Sequence, residues 1–126
     1  LKAIAAKYEI EIVVSLGAEK EELAANYLAE QGVQILDKNF YFHGGEIDLI
    51  AKDGEYLCFI EVKYRKSSKY GYPEESVTAA KQRKIIYGAK LYLYQKHFSS
   101  DTPCRFDVVS VCKEEICWLQ NAFEAF

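Results

Sequence analysis

The sequence predicts an α/β domain in which a mixed β-sheet is flanked by helices. Three observations carry that expectation: two stretches with helical apolar spacing, several short runs rich in β-branched and aromatic residues, and the order in which they alternate. With 126 residues, 50% of them hydrophobic, 28% charged and only two prolines, the chain has the size and composition of one globular domain. It is long enough to bury a core without disulfides or a structural metal.

Taken in order, Tyr8 to Leu16 alternates Ile10, Ile12 and Val14 with Glu9 and Glu11, a strand pattern. Gly17 to Gln31 reads as a helix with Leu23, Ala24, Tyr27 and Leu28 in a stripe, and Gly32 stands where a C-terminal cap belongs. Three strands follow, at about Gln34 to Phe42, Glu46 to Lys52 and Glu55 to Tyr64. A loop with Gly71 and Pro73 leads into a long helix, Val77 to His97, whose Ile85, Ile86, Ala89 and Leu93 share one face. Two strands close the chain, Arg105 to Cys112 and Ile116 to Leu119.

Several function classes are excluded at this level. Uncharged runs such as Ile12 to Ala18 are too short to cross a bilayer, and no basic segment precedes one as in a secretory signal, so a cytoplasmic protein is expected. Leu at position 1 and the lack of any Met suggest that the true start lies upstream. Cys58, Cys104, Cys112 and Cys117 form no C-x-x-C pair and have no His at ligand spacing, which argues for reduced packing residues rather than zinc ligands. Only Cys112 and Cys117, flanking a turn, are placed to face each other as a disulfide.

The net charge of -3 argues against indiscriminate nucleic-acid binding. Its distribution says more. Acids gather at Glu19, Glu21 and Glu22, and bases at Lys63, Arg65, Lys66 and Lys69 and again at Lys81, Arg83, Lys84 and Lys90. Basic surface beside carboxylates suits phosphodiester chemistry; a solvated loop and helix face is the competing explanation.

The Asp53-Gly54 dipeptide is favoured in two-residue hairpin loops, which need positive φ. With those residues as the loop, Lys52 faces Glu55, Ile50 faces Leu57, Asp48 faces Phe59 and Glu46 faces Glu61. Strand side chains alternate, so these residues and Lys63 share one face. Asp48 and Glu61 become diagonal neighbours about 7 to 8 Å apart at the backbone, close enough to converge on one cation.

That placement needs a compensating charge. Leu57 and Phe59 on one face, with Cys58, Ile60 and Val62 on the other, make the strand central and buried. Carboxylates at its end are desolvated and repel one another, a cost relieved by a divalent cation or a positioned Lys. Mg²⁺, or Mn²⁺ in its place, suits an all-oxygen site that keeps waters. Lys63 is placed to polarise such a water or to neutralise charge developing on the phosphate. The alternative is a set of cross-strand ion pairs among Glu46, Glu61, Lys63 and Arg65.

The segments Gly45-Glu46-Ile47-Asp48-Leu49-Ile50 and Phe59-Ile60-Glu61-Val62-Lys63-Tyr64-Arg65 resemble the YraN-like family, an uncharacterised bacterial group expected to be endonucleases related to Holliday junction resolvases. The resemblance extends to Glu21-Glu22-Leu23-Ala24-Ala25-Asn26-Tyr27-Leu28, Gly32, Ile35-Leu36, Asn39, Lys81-Gln82-Arg83 and Arg105-Phe106-Asp107-Val108-Val109, and so covers about Leu16 to Val111. An Asp followed by Glu-x-Lys is the signature of the PD-(D/E)xK superfamily. The resemblance therefore implies a single restriction endonuclease-like domain with a mixed sheet flanked by helices.

Residue by residue, it implies Asp48 and Glu61 as metal ligands, with Val62 between the motif residues as a further metal position, and Lys63 as the catalytic lysine. Glu21 matches a helix carboxylate that approaches the metal in related resolvases; a favourable charge in the first helical turn explains it equally well. Gln82 is in register with Ile85, Ile86 and Ala89 and should point toward the sheet, either as a core amide or into the site. Arg65, Lys66, Lys81 and Arg83 are the candidate nucleic-acid contacts. Arg83, Lys90, Tyr87 and Tyr94 share a helix face that either meets nucleic acid or is solvated. Lys20 stands where the family usually has Gly, and His43 lies in a loop within reach of a phosphate.

The resemblance thus implies a metal-dependent endonuclease acting on DNA, on branched or damaged structures by analogy. A nucleic-acid-binding module working through a partner is the alternative, and a purely structural interaction protein leaves the convergent acids unexplained. Surplus apolar material in Tyr8 to Leu16, Trp118, Phe123 and Phe126 points to a homodimer through the terminal segments.

Overall fold

Strand β3 (Tyr56–Arg65) is apolar on both faces and must be covered from both sides. A computed structural model describes residues 16–65, 77–112 and 115–125 and shows how this is done. Helix α1 (Leu16–Glu30) lays Ala24, Ala25 and Leu28 against Cys58, Ile60 and Val62. Helix α2 (Ala79–Gln95) lays Ile85, Ala89 and Tyr92 against the opposite face, on Leu57 and Phe59. The sheet between them has the order β1-β2-β3-β4-β5, with β1 Gln34–Phe42, β2 Gly45–Asp53, β4 Cys104–Cys112 and β5 Glu115–Phe123.

Neighbouring strands run antiparallel except β3 and β4, which are parallel and joined through α2, so the sheet is mixed as expected. A parallel pair needs a long crossover, and α2 supplies it. Thr78 caps α2, its hydroxyl accepting the Lys81 N–H at 3.1 Å, so the helix begins two residues later than the apolar pattern suggested. The expected strand at Tyr8 to Leu16 lies outside the described residues, apart from Leu16, which opens α1 rather than closing a strand. Among the described residues no helix is long and apolar enough to cross a membrane.

Two irregularities tie the layers together. At the bulge between Ile35 and Asp37, the Asp37 carboxylate accepts the hydroxyl of buried Tyr92 at 2.6 Å, pinning α2 to β1. At the bulge between β4 and β5, fully buried Asp107 accepts Arg105 Nε at 3.0 Å, Trp118 Nε1 at 2.9 Å and the Asn121 N–H at 2.9 Å. Arg105 also reaches Asp53 at 2.9 Å and lies over the rings of Tyr56 and Trp118. Asn121 takes a φ of 54° there, a conformation its short polar side chain tolerates.

Of the residues expected to form surplus apolar surface, Trp118 is half-buried and donates to Asp107, Phe123 is buried against Phe106, and Phe126 lies outside the described residues. The last strand also runs beyond Leu119, to Phe123, because the bulge at Asn121 lets pairing resume. All four cysteines are free thiols, with Cys112 opposite Glu115 and Cys117 opposite Ser110.

Candidate active site

The β2–β3 hairpin turns at Gly54-Glu55 rather than at Asp53-Gly54. Asp53 is drawn into the ladder opposite Tyr56 and held by Arg105, while Gly54 alone takes the left-handed conformation at φ 60°. The whole register moves by two residues: Lys52 pairs with Leu57 and Ile50 with Phe59. Phe59 pairs with Ile50 instead of Asp48, and Asp48 and Glu61 are the next residues beyond the last ladder pair, Leu49 with Ile60. The loop is still two residues long, so a shift of two leaves the expected side-chain parity intact.

Beyond Leu49 and Ile60 the two strands separate. Strand β2 continues to Gly45 paired with β1, and β3 continues to Arg65 paired with β4. The Val62 N–H exposed by this fork is taken by the Asp48 carboxylate at 2.8 Å. Strict alternation also breaks here, since Ile47 packs on the α2 side and Leu49 on the α1 side, only two residues apart. Asn39 on β1, with φ 54°, marks the same irregularity across the strand pair. Asp48 is thereby set in the fork itself rather than squarely on one face.

Three carboxylates meet around this point, and the charge of a fourth, Glu61, acts on one of them. Those of Glu21, Glu46 and Asp48 lie within 4.8 Å of one another. Asn39 Nδ2 donates to Glu21 at 2.6 Å and to Glu46 at 3.2 Å, bridging α1 and β2. Burial, the charge of Glu61 and that of Glu46 raise the Asp48 pKa to about 6, against the Val62 hydrogen bond and Lys20, which lower it. Burial also raises the Glu21 pKa, opposed by Asn39 and augmented by Asp48 and Glu46. Glu61 is only 6% exposed; one of its oxygens lies 3.7 Å from both Lys63 Nζ and Lys81 Nζ, and the other is buried with no hydrogen-bond partner among the described residues.

The structure therefore groups Glu21 with Asp48 and Glu46, and pairs Lys63 with Glu61, whose charge acts on Asp48. Glu21 lies well past the first turn of α1, so its placement is not a helix-end charge effect. Val62 contributes its main chain, through the hydrogen bond to Asp48. Gln82 is half-buried, and its amide donates to the Val77 carbonyl at 3.1 Å, at the start of α2. Lys81 turns inward to Glu61, whereas Arg83 is exposed. Arg65 ends β3; its side chain and all of Lys66 lie outside the described residues. On α2, Tyr87, Lys90 and Tyr94 are exposed with Arg83, as the shared face implied.

Two participants were not identified from sequence. Glu46 was assigned opposite Glu61; it instead pairs across β1 with Tyr41 and joins Glu21 and Asp48. Asn39, quoted only as part of the resemblance, is the amide that holds two of the acids. The available signal was an Asn inside a strand, a residue tolerant of positive φ and able to bridge carboxylates.

Comparison with known proteins agrees with this frame. The family described as uncharacterised protein family UPF0102 matches residues 20–111, a span running from the start of the Glu21 segment to the end of β4. A UPF0102 protein of Lachnoclostridium phytofermentans is 52% identical over 110 residues, 87% of this chain and 93% of that protein. One of Chlorobaculum parvum is 56% identical over 99 residues, 76% of this chain and 74% of that protein. One of Janthinobacterium sp. is 44% identical over 109 residues, 86% and 87% of the two chains. The chain belongs to the uncharacterised protein family UPF0102.

Proposed function

We propose that the protein is a Mg²⁺-dependent endonuclease that hydrolyses DNA phosphodiester bonds. The observation that carries this reading is the Glu61 carboxylate, nearly buried, its charge acting on Asp48 and one of its oxygens without a partner among the described residues. A buried polar atom without a partner is costly, and a second carboxylate beside it makes matters worse. An all-oxygen donor set fits a hard divalent cation: Glu21, Glu46 and Asp48 each offer an oxygen within 4.8 Å of the others and would hold it, with the Glu61 carboxylate, whose charge acts on Asp48, as a further ligand from β3. When bound, Mg²⁺ (or Mn²⁺) supplies positive charge to phosphate oxygens and makes water more acidic.

The chain's own groups divide the remaining work. Asp48 is positioned by the Val62 N–H, and its raised pKa puts its ionisation near neutrality, so the fork gains its full negative charge only above about pH 6. Lys63 Nζ is half-buried at the edge of the acid cluster, where an ammonium can donate to a non-bridging phosphate oxygen and offset charge developing there. Asn39 fixes Glu21 and Glu46 relative to each other across two elements. Exposed Arg83 and Lys84 give the adjoining helix a cationic surface for the DNA backbone.

The test is cleavage of a panel of duplex, single-stranded and four-way-junction DNA with Mg²⁺, Mn²⁺ or EDTA. Metal-stimulated cleavage of at least one substrate is expected. No cleavage of any substrate by wild-type protein leaves the alternative, a nucleic-acid-binding module that acts through a partner.

A further inference from the structure

The β1–β2 connection, Phe42-His43-Gly44, leans against the first half of α2 and leaves a groove of about 330 Å³ lined by Phe42, His43, Gly44, Ala80, Arg83, Lys84 and Tyr87. We propose that this groove is a subsite for one unpaired nucleotide of the DNA, its base stacked on Tyr87 and its phosphate held by Arg83 and Lys84. The proposal rests on the nuclease reading and deepens it by naming what the enzyme selects beside the cleavage point.

Three features of the groove support this occupant. First, its walls are built to a fixed width. The Phe42 ring forms the floor and leaves no room for side chains at two glycines: a Cβ on Gly45 would lie 2.9 Å from the ring, and one on Gly88 would overlap it. Helix and hairpin tip can therefore approach only because both positions are glycine. The volume is at the small end of ligand pockets, roughly 300 to 1,000 Å³, and suits one nucleotide rather than a base pair.

Second, the chemistry is mixed in the way a nucleotide requires. Tyr87 is 53% exposed, and its ring centroid lies 6.0 Å from that of Phe42, so one aromatic is anchored and the other is open to a stacking partner. Arg83 and Lys84 are exposed cations on the same wall, and His43 faces them from the hairpin. Among the described residues no acidic side chain lines the groove, so the charge they present is complementary to a phosphate.

Third, the groove is continuous with the acid cluster. Lys81 reaches Glu61 at 3.7 Å, and Lys84, one turn further along α2, lines the groove. Three residues of helix advance only about 4.5 Å. On the hairpin side, Gly44 is followed by Gly45 and Glu46, the latter already in the cluster. Tyr87 lies six residues beyond Lys81, about 9 Å along the helix, a span that the nucleotide next to a phosphate held near Glu61 can cover. A groove of about 330 Å³ has room for one base and not for a base pair, so a base at a flap, overhang or junction branch is the one that fits.

The experiment is fluorescence anisotropy in EDTA, with labelled duplexes that are blunt or carry a short single-stranded overhang, on wild type, Tyr87→Ala, Tyr87→Phe and the double variant Arg83→Gln/Lys84→Gln. Wild type should bind the overhang duplex more tightly than the blunt one. Tyr87→Ala should weaken overhang binding by roughly 5- to 100-fold, the range for removing a stacking aromatic, with little effect on blunt DNA. Tyr87→Phe should restore it, and the double variant should flatten the salt dependence. The exposure of Tyr87 keeps folding out of question, and circular dichroism checks it. Equal binding of both duplexes by wild type, or unchanged overhang binding by Tyr87→Ala, overturns the proposal. So does equal competition by a free mononucleotide, which would make the occupant a small molecule. The readout needs no cleavage, so failure of the nuclease reading registers separately, as wild-type protein inactive with Mg²⁺.

Discussion

The Asp48 carboxylate accepts the Val62 main-chain N–H at 2.8 Å, at the point where β2 and β3 stop pairing. Burial first, and Glu61 second, still hold its pKa at about 6, above the ordinary 3.8. A raised folded-state pKa means that the fold favours the protonated form. Its stabilising contribution is complete below about pH 4 and is lost as the pH rises through about 6. In metal-free protein that loss should amount to about 2 to 3 kcal/mol. Asp48→Asn keeps an acceptor for Val62 and should abolish it. Urea unfolding in EDTA from pH 4 to 8 gives the difference between the two proteins; a constant difference across that range contradicts the assignment.

Divalent ion should relieve the same repulsion. At a concentration about 100 times its dissociation constant, Mg²⁺ or Mn²⁺ should stabilise wild type by about 2.7 kcal/mol. Asp48→Asn and Glu61→Gln should show little of this effect. Thermal unfolding with and without the ion measures it, and equal shifts in wild type and both variants would place the ion elsewhere.

Much of this site could be anticipated from sequence, for identifiable reasons. The hairpin parity is kept through the paired stretch, because any even-length loop leaves it unchanged, and it sets Glu61 and Lys63 on one face; Asp48 lies just past that stretch, where alternation breaks. The register itself was wrong by two residues, because the favoured dipeptide says nothing about Arg105, which pulls Asp53 into the ladder. Glu46 was misplaced for a related reason: its partners are set by the kink at Asn39 and by Glu21 from a distant helix. The role of Trp118 was hidden because only tertiary structure reveals that Asp107 is a buried acceptor. An apolar terminal residue and an unpartnered one look alike in a sequence.

Asp107 should be the most costly polar residue to remove. Its loss leaves half-buried Arg105 with only Asp53 as a carboxylate partner and leaves the Trp118 indole and the Asn121 N–H without their acceptor. Asp107→Ala should destabilise by about 3 to 5 kcal/mol. Urea denaturation followed by emission of the single Trp tests this, and a loss below about 1 kcal/mol contradicts the account.

Gly88 should resist the smallest enlargement. Its missing Cβ is the space the Phe42 ring occupies, so Gly88→Ala should cost about 1 to 3 kcal/mol through overpacking, despite the better helix propensity of Ala. Adding Phe42→Leu should recover part of that cost. A double-mutant cycle of unfolding free energies checks the coupling, and strict additivity would show that the two residues do not press on each other.

The central claim is that the Asp48–Glu61 fork is a metal-dependent nuclease centre. Single-turnover cleavage of branched and duplex DNA by wild type, Asp48→Asn and Lys63→Met, each with Mg²⁺ and with EDTA, tests it most directly. Cleavage by wild type only with the ion, reduced at least about 100-fold in both variants while their DNA binding persists, is the predicted result. Cleavage by Asp48→Asn at the wild-type rate, or none by wild type with any substrate and ion, would contradict it.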